Sequence, residues 1–400
     1  MDRQEFISKL VTRNDTKIVL LVMDGVGDLP VNGRTPLQAA RTPNLDALAK
    51  KSELGQAVPV IPGVTPGSGP GHLGLFGYDP IKYQIGRGIL EALGSDVEVG
   101  EKDLVARANF ATIDGDTVVD RRAGRPATEE SAKVVEKLAE EIKKIEDIEI
   151  SLYPGKEHRF VVKFTGEGLD ERICDADPQK TGLPIVWAEA LVPEAEKTAR
   201  VVNEFLRRVK EILKDEEKMN FALLRGFSKY PQIPNFEEVY KLRAAAIATY
   251  PMYRGLAKLV GMNVVATGTT IKDEVETLKE IWNDYDFFFF HVKKTDSYGE
   301  DGNFESKVHV IEEVDDLLPE ILALNPDVLV VTGDHSTPVP MKAHSWHPVP
   351  FMVYSGYVRA GASEKFDEFE CARGVIGTIY AVDEIPLMLA HAMRLEKYGA

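Results

Sequence analysis

Residues Lys17 to Met23 (KIVLLVM) form an unbroken apolar run that stops at Asp24-Gly25, a turn signal. A run this short, with no polar alternation, reads as a strand buried on both faces, as in parallel sheets. The pattern recurs twice. DFFFFHV, which holds Phe287 to Phe290, is followed by Lys293-Lys294-Thr295-Asp296, and DVLVVTG is followed by Asp334-His335. A further strand is predicted at Asn263 to Thr267 (NVVAT). Helical patterns precede two of these runs, over Lys272 to Tyr285 and Lys307 to Leu324. Alternating strand and helix predicts an α/β fold, a mostly parallel sheet flanked by helices. Ligands of such sheets gather at the carboxyl ends of the strands. Asp24, Asp296, Asp334 and His335 all fall there.

The middle of the chain has a different texture. Two strand patterns, IEISLYPG and HRFVVKF, lie between charged amphipathic helices near Glu129 to Asp147 and Pro193 to Glu217. This predicts an inserted α+β domain over residues 97–260, which splits the parallel-sheet domain into residues 1–96 and 261–400. A chain of 400 residues accommodates two domains.

Composition narrows the function classes. The formal net charge of −16 argues against a nucleic-acid partner, because phosphate contacts need excess Lys and Arg. It leaves room for a small anionic substrate held by a local basic pocket or by metal ions. The two cysteines, Cys174 and Cys371, form neither a disulfide framework nor a metal-ligand spacing, which fits a reducing cytosol. The N-terminal stretch has no apolar signal-peptide core and no run is long enough to span a membrane. A cytoplasmic protein with no membrane partner is expected.

One aspartate after a strand is an ordinary helix cap. Three apolar strands that end in acidic residues, one of them Asp334-His335, point instead to a metal site. Carboxylate and imidazole suit Mn²⁺, Mg²⁺ or Zn²⁺. The glycine-rich loop Gly63 to His72 (GVTPGSGPGH) then opens a predicted helix, whose free N–H groups favour an anion. Ser68 is the better candidate nucleophile there and Thr65 the second. No Gly-Lys-Ser/Thr follows, so a P-loop is disfavoured, and no hydrolase nucleophile elbow is present. A serine hydroxyl needs activation, and two ions about 3.5–4 Å apart could supply it. In the segment Met341 to Pro350 (MKAHSWHPVP), either His344 or His347 could reach the metal site.

In their order along the chain, Asp24, the serine of TPGSGPGH, TDSYGEDG, GDHS and AHSWHPVP resemble the alkaline phosphatase superfamily. VMDGVGD, RTPLQAARTPNLDALA, GHLGLFGYDP, GRGILEALG, ARANFATIDG, DRRAGR and MYRGLAKLVGM make the chain similar, over nearly its whole length, to the archaeal-type cofactor-independent phosphoglycerate mutases. The resemblance implies an alkaline phosphatase-like fold and two divalent metal ions, Mn²⁺ first, with Mg²⁺, Zn²⁺ or Co²⁺ as alternatives, and no bisphosphoglycerate cofactor. It implies one ion on Asp24, Ser68, Asp334 and His335, and the other on Asp296, position 300 and His344. The family reads Asp-x-x-x-His where this chain has Asp296 to Glu300, and the extra hard oxygen favours Mn²⁺ or Mg²⁺ over Zn²⁺. It further implies that Ser68 takes the phosphoryl group of 3-phosphoglycerate and returns it to the 2-hydroxyl, with the inserted domain closing over the site. Arg121, Arg122 and Arg125 of DRRAGR are the favoured substrate ligands, with Arg159, Arg225, Arg254 and His72 as further candidates. A metal-dependent phosphatase, another phosphomutase and a non-catalytic phosphometabolite sensor are the alternatives, and a homo-oligomer is left open.

Overall fold

The computed structural model describes residues 2–399, which fall into two compact units, residues 2–84 with 233–399, and Ile85–Gln232. The first unit is built on an eight-stranded sheet. From one edge its strands are Asn263–Val264, Ala244–Ile247, Phe287–Val292, Ile18–Met23, Val328–Thr332, Val349–Ser355, Glu53–Val58 and Gly377–Tyr380. The first five run parallel, and Val349–Ser355 is antiparallel to both its neighbours. Every residue of Ile18–Met23, Phe287–Val292 and Val328–Thr332 is buried, as their apolar runs require. One face packs Val19, Leu21, Phe288, Phe290 and Val331 against Val310, Val314 and Leu318 of helix Phe304–Leu322.

The parallel register fixes the site. Met23 lies beside Val292, Val22 beside Thr332, and the Asp24 amide continues the ladder to the Val292 carbonyl at 2.9 Å. Three acidic strand ends are therefore neighbours, although they lie far apart in sequence.

The second unit carries a six-stranded sheet centred on Asp103–Asp114, which pairs antiparallel with Thr117–Asp120, Arg159–Thr165 and Phe221–Ser228. Leu104, Ala106, Ala108 and Phe110 alternate into a core completed by helices Thr128–Glu141 and Glu196–Ile212. The expected strand pair is present as Ile148–Pro154 and Arg159–Thr165.

Two expectations shift. The insert spans residues 85–232 rather than 97–260, because Ala244–Ile247 and helix Pro251–Leu259 belong to the first unit. Alanine is a weak strand former, so AAAI carries little signal, and burial between neighbouring strands holds it extended. NVVAT shortens to the edge strand Asn263–Val264.

Candidate active site

Asp24, Asp296, Asp334 and His335 meet at the carboxyl edge of the large sheet, all buried. His335 Nε2 lies 3.3 Å from Asp24 Oδ1, 3.2 Å from Asp334 Oδ2 and 3.9 Å from Asp296 Oδ1. Its orientation has a visible cause. Thr337 Oγ1 sits 2.9 Å from His335 Nδ1 and donates to Asp296 Oδ1 at 2.6 Å, so the other ring nitrogen faces the carboxylates. His344 stacks on His335 with ring centroids 3.7 Å apart and brings Nε2 to 3.5 Å from Asp296 Oδ1. Of the two candidate histidines, His344 joins the cluster, whereas His347 engages Ser345 Oγ and stacks on Trp346.

Backbone shape admits these contacts. Gly25 has φ +61°, and a Cβ there would come 2.4 Å from Thr337 Oγ1. A Cβ on Gly71 would lie 2.5 Å from the Asp334 carbonyl oxygen. That close approach seats the start of helix Ser68–Leu75 on the site and puts Ser68 Oγ 3.4 Å from His335 Nε2. Lys307, fully buried in helix Phe304–Leu322, ties the loops together by donating to the Gly25 and Thr337 carbonyls and to Asp28 Oδ2.

The electrostatics are those of a site short of positive charge. Burial alone would raise the Asp24 pKa, but Lys293, His335 and His291 hold it well below the usual range. Burial alone would lower His335, yet Asp334, Asp24 and Asp296 lift it to about 9. Lys293 bridges Asp24 Oδ2 at 2.9 Å and Asp296 Oδ2 at 2.5 Å. Even so, Asp24 Oδ1 and Asp334 Oδ2 are buried without a hydrogen-bond partner. Two groups, Asp24/Asp334/His335 and Asp296/His335/His344, each bring three ligand atoms within 4.8 Å of one another. Buried carboxylates with orphaned oxygens beside imidazoles fit divalent cations.

Glu300 sits at the rim, 56% exposed, with Oε1 3.8 Å from His344 Nε2. His72, expected to contact substrate, is instead fully buried, with Nδ1 2.9 Å from the Ser68 carbonyl and 3.1 Å from Asp334 Oδ2. It packs behind Asp334 and presents no surface of its own. Sequence reasoning missed Lys293, Thr337 and Tyr253, whose hydroxyl donates to Asp24 Oδ2 at 2.5 Å. Arg254 follows Tyr253 on the same helix.

The remaining arginines lie in the second unit. Arg121 forks onto Asp177 at 3.1 and 2.6 Å. DRRAGR bends as expected, with Ala123, Gly124 and Arg125 all at positive φ. The Arg122 and Gly124 amides donate to Asp120, however, so they are not turned to an external anion, and the Arg122 and Arg125 side chains are exposed. Arg159 opens the Arg159–Thr165 strand, in register with Asn109.

Residues 49–219 match the 2,3-bisphosphoglycerate-independent phosphoglycerate mutase family. A probable 2,3-bisphosphoglycerate-independent phosphoglycerate mutase of Thermotoga neapolitana is 74% identical over 400 residues, covering both chains in full. Among solved structures, a Pyrococcus horikoshii protein is 31% identical with a TM-score of 0.83, over 96% of this chain and 100% of its own. The cofactor-independent phosphoglycerate mutase of Thermoplasma acidophilum is 30% identical with a TM-score of 0.72, over 94% and 100%. Fold, strand-end cluster and kinship together define an α/β enzyme of the phosphomutase class. The chain belongs to the 2,3-bisphosphoglycerate-independent phosphoglycerate mutases.

Proposed function

We propose that the chain interconverts 3-phosphoglycerate and 2-phosphoglycerate through a phosphoserine on Ser68, beside two divalent metal ions, as a step of glycolysis and gluconeogenesis. The observation that carries this reading is Ser68 Oγ at a helix start, 3.4 Å from Nε2 of His335, a residue that belongs to both candidate ligand groups. Asp24, Asp334 and His335, with Ser68, would hold one ion. Asp296 and His344, with Glu300 from the rim, would hold the other. When bound, the ions supply a lowered hydroxyl pKa and neutralisation of phosphoryl charge. Mn²⁺ suits this oxygen-rich set best, with Mg²⁺, Zn²⁺ or Co²⁺ as alternatives.

The Ser68 hydroxyl gives up its proton, and Oγ forms a bond to phosphorus as the bond to the 3-oxygen of glycerate breaks. That oxygen leaves with the bonding pair and takes a proton. Glycerate reorients, its deprotonated 2-hydroxyl attacks phosphorus, and the P–Oγ bond breaks as Oγ regains a proton. Lys293 offsets charge beside Asp24 and Asp296. The inserted unit is assigned to substrate binding and water exclusion, since water would otherwise hydrolyse phosphoserine.

The test uses purified protein, Mn²⁺ and 3-phosphoglycerate without bisphosphoglycerate, followed by phosphorus NMR. A growing 2-phosphoglycerate signal, absent in Ser68→Ala, supports the reading. Inorganic phosphate as sole product would replace it with a phosphatase.

A further inference from the structure

Tyr253 touches two of the groups that the proposed reaction uses, yet the steps above give it no part. Its hydroxyl donates to Asp24 Oδ2 at 2.5 Å and also shares a hydrogen bond with the Ser68 side chain. Helix Pro251–Leu259, which carries Tyr253, packs on helix Ser68–Leu75. The ring is buried and held on several sides. His291 lies against it with ring centroids 4.0 Å apart, His72 with centroids 4.6 Å apart, and Lys293 Nζ sits 5.6 Å from the ring centroid. His72 Nδ1 also meets the Ser68 carbonyl at 2.9 Å, so one imidazole fixes both the serine backbone and the ring beside it. A phenol locked in this way keeps one freedom, the direction of its hydroxyl hydrogen.

That freedom has a use. With its hydrogen on Asp24, the phenol oxygen accepts from the Ser68 O–H. Asp24 does not depend on that hydrogen alone. Lys293 Nζ lies 2.9 Å from the same Oδ2, and His291 Nε2, which has no hydrogen-bond partner, lies 3.6 Å from it. The phenol hydrogen is therefore able to turn toward Ser68 Oγ without leaving Asp24 Oδ2 bare. A fixed, uncharged donor aimed at an oxygen that gains charge during reaction stabilises that charge with no reorganisation of solvent.

We propose that Tyr253 is a further catalytic residue: its hydroxyl turns its hydrogen bond from Asp24 Oδ2 to Ser68 Oγ as Oγ loses its proton, and holds it there while Oγ carries charge. This role rests on the phosphoserine reading above. It serves both halves of the reaction, because Oγ is the attacking oxygen in the first and the leaving oxygen in the second. No bond to the phenol is made or broken, and Tyr253 keeps its own proton throughout.

The test compares full-length wild type, Tyr253→Phe, Ser68→Ala and the double variant, each checked for fold by circular dichroism. At saturating Mn²⁺, Tyr253→Phe should lose about 10²-fold or more in kcat, the loss that follows removal of one oxyanion donor, with KM near that of wild type. If Tyr253 served only to hold Asp24 as a ligand, raising Mn²⁺ would restore kcat, and that result overturns the proposal. A second readout needs neither turnover nor metal. In the metal-stripped protein, the double variant should lose less melting temperature than the sum of the two single losses, because each substitution breaks the same hydrogen bond. Additive losses overturn the contact and the proposal with it. The two claims separate. Non-additive melting without 2-phosphoglycerate formation by wild type keeps the pairing of Tyr253 with Ser68 and removes the mutase reading. Turnover with kcat unchanged in Tyr253→Phe does the reverse.

Discussion

At the strand ends of the large sheet, two carboxylate oxygens lack a partner, whereas on the inserted sheet the unpartnered charged atoms are guanidinium nitrogens, Nε of Arg107 and of Arg225. Both deficits are buried. The sign of the missing partner is what differs. The first region holds Lys293 and still has acceptors left over; the second holds Asp175 and Asp177 and still has donors left over. Buried charge without a partner is strongly unfavourable, so an unmet group reports the charge of what completes it. The leftover acceptors of the first region call for a positive partner, and the leftover donors of the second for a negative one.

This contrast can be broken at either end. The largest effect is expected from Asp24→Asn, which removes a charge that His335, Lys293 and Tyr253 all address. Mutase activity should fall by about 10³-fold or more, with bound metal reduced when assayed by atomic absorption. Next comes pH. In the metal-free protein His335 keeps its proton up to about pH 9, and a metal ion must displace that proton. Apparent Mn²⁺ affinity should climb about tenfold per pH unit below that value and level off above it, as followed by electron paramagnetic resonance. A flat profile from pH 6.5 to 8.5 would remove His335 from the ligand set. Thr337→Val deletes the hydroxyl that orients both His335 and Asp296, and should weaken metal binding by about 10–100-fold while leaving the fold intact by circular dichroism. The smallest effect sharpens the insert side. Arg121→Met leaves Asp177 without its forked partner and should cost about 2–3 kcal/mol in denaturant unfolding, whereas Arg107→Met should cost none.

The strand-end acids were legible because each follows a run with no polar residue, so Asp24, Asp296 and Asp334 stand out. Lys293 was equally visible but carried no signal: a lysine after a strand is ordinary until the register sets Val292 beside Met23. Tyr253 reaches Asp24 across 229 positions, and Thr337 matters only through the ring it turns, so neither role has a local sequence cue. Arg107 was hidden for another reason. In an alternating strand a polar residue reads as solvent-facing, and only the packing of helix Arg87–Gly94 shows that this face is half covered. The DRRAGR bend was read correctly from its glycine, but its amides proved to serve Asp120.

The insertion has a consequence for the order of assembly. Strand Ile18–Met23 finds its neighbours only when Phe287–Val292 and Val328–Thr332 have been made, and the Gly25 amide meets Asp334 across 309 positions. The pairings of Asp103–Asp114, by contrast, all close within residues 85–232. During synthesis from the N-terminus the inserted unit has every partner it needs while the first strand waits, apolar on both faces and unpaired. The strand-end cluster therefore comes together only after the insert is complete, and a ribosome stalled before Val328 would release a chain that carries the whole insert but lacks Asp334, His335 and His344.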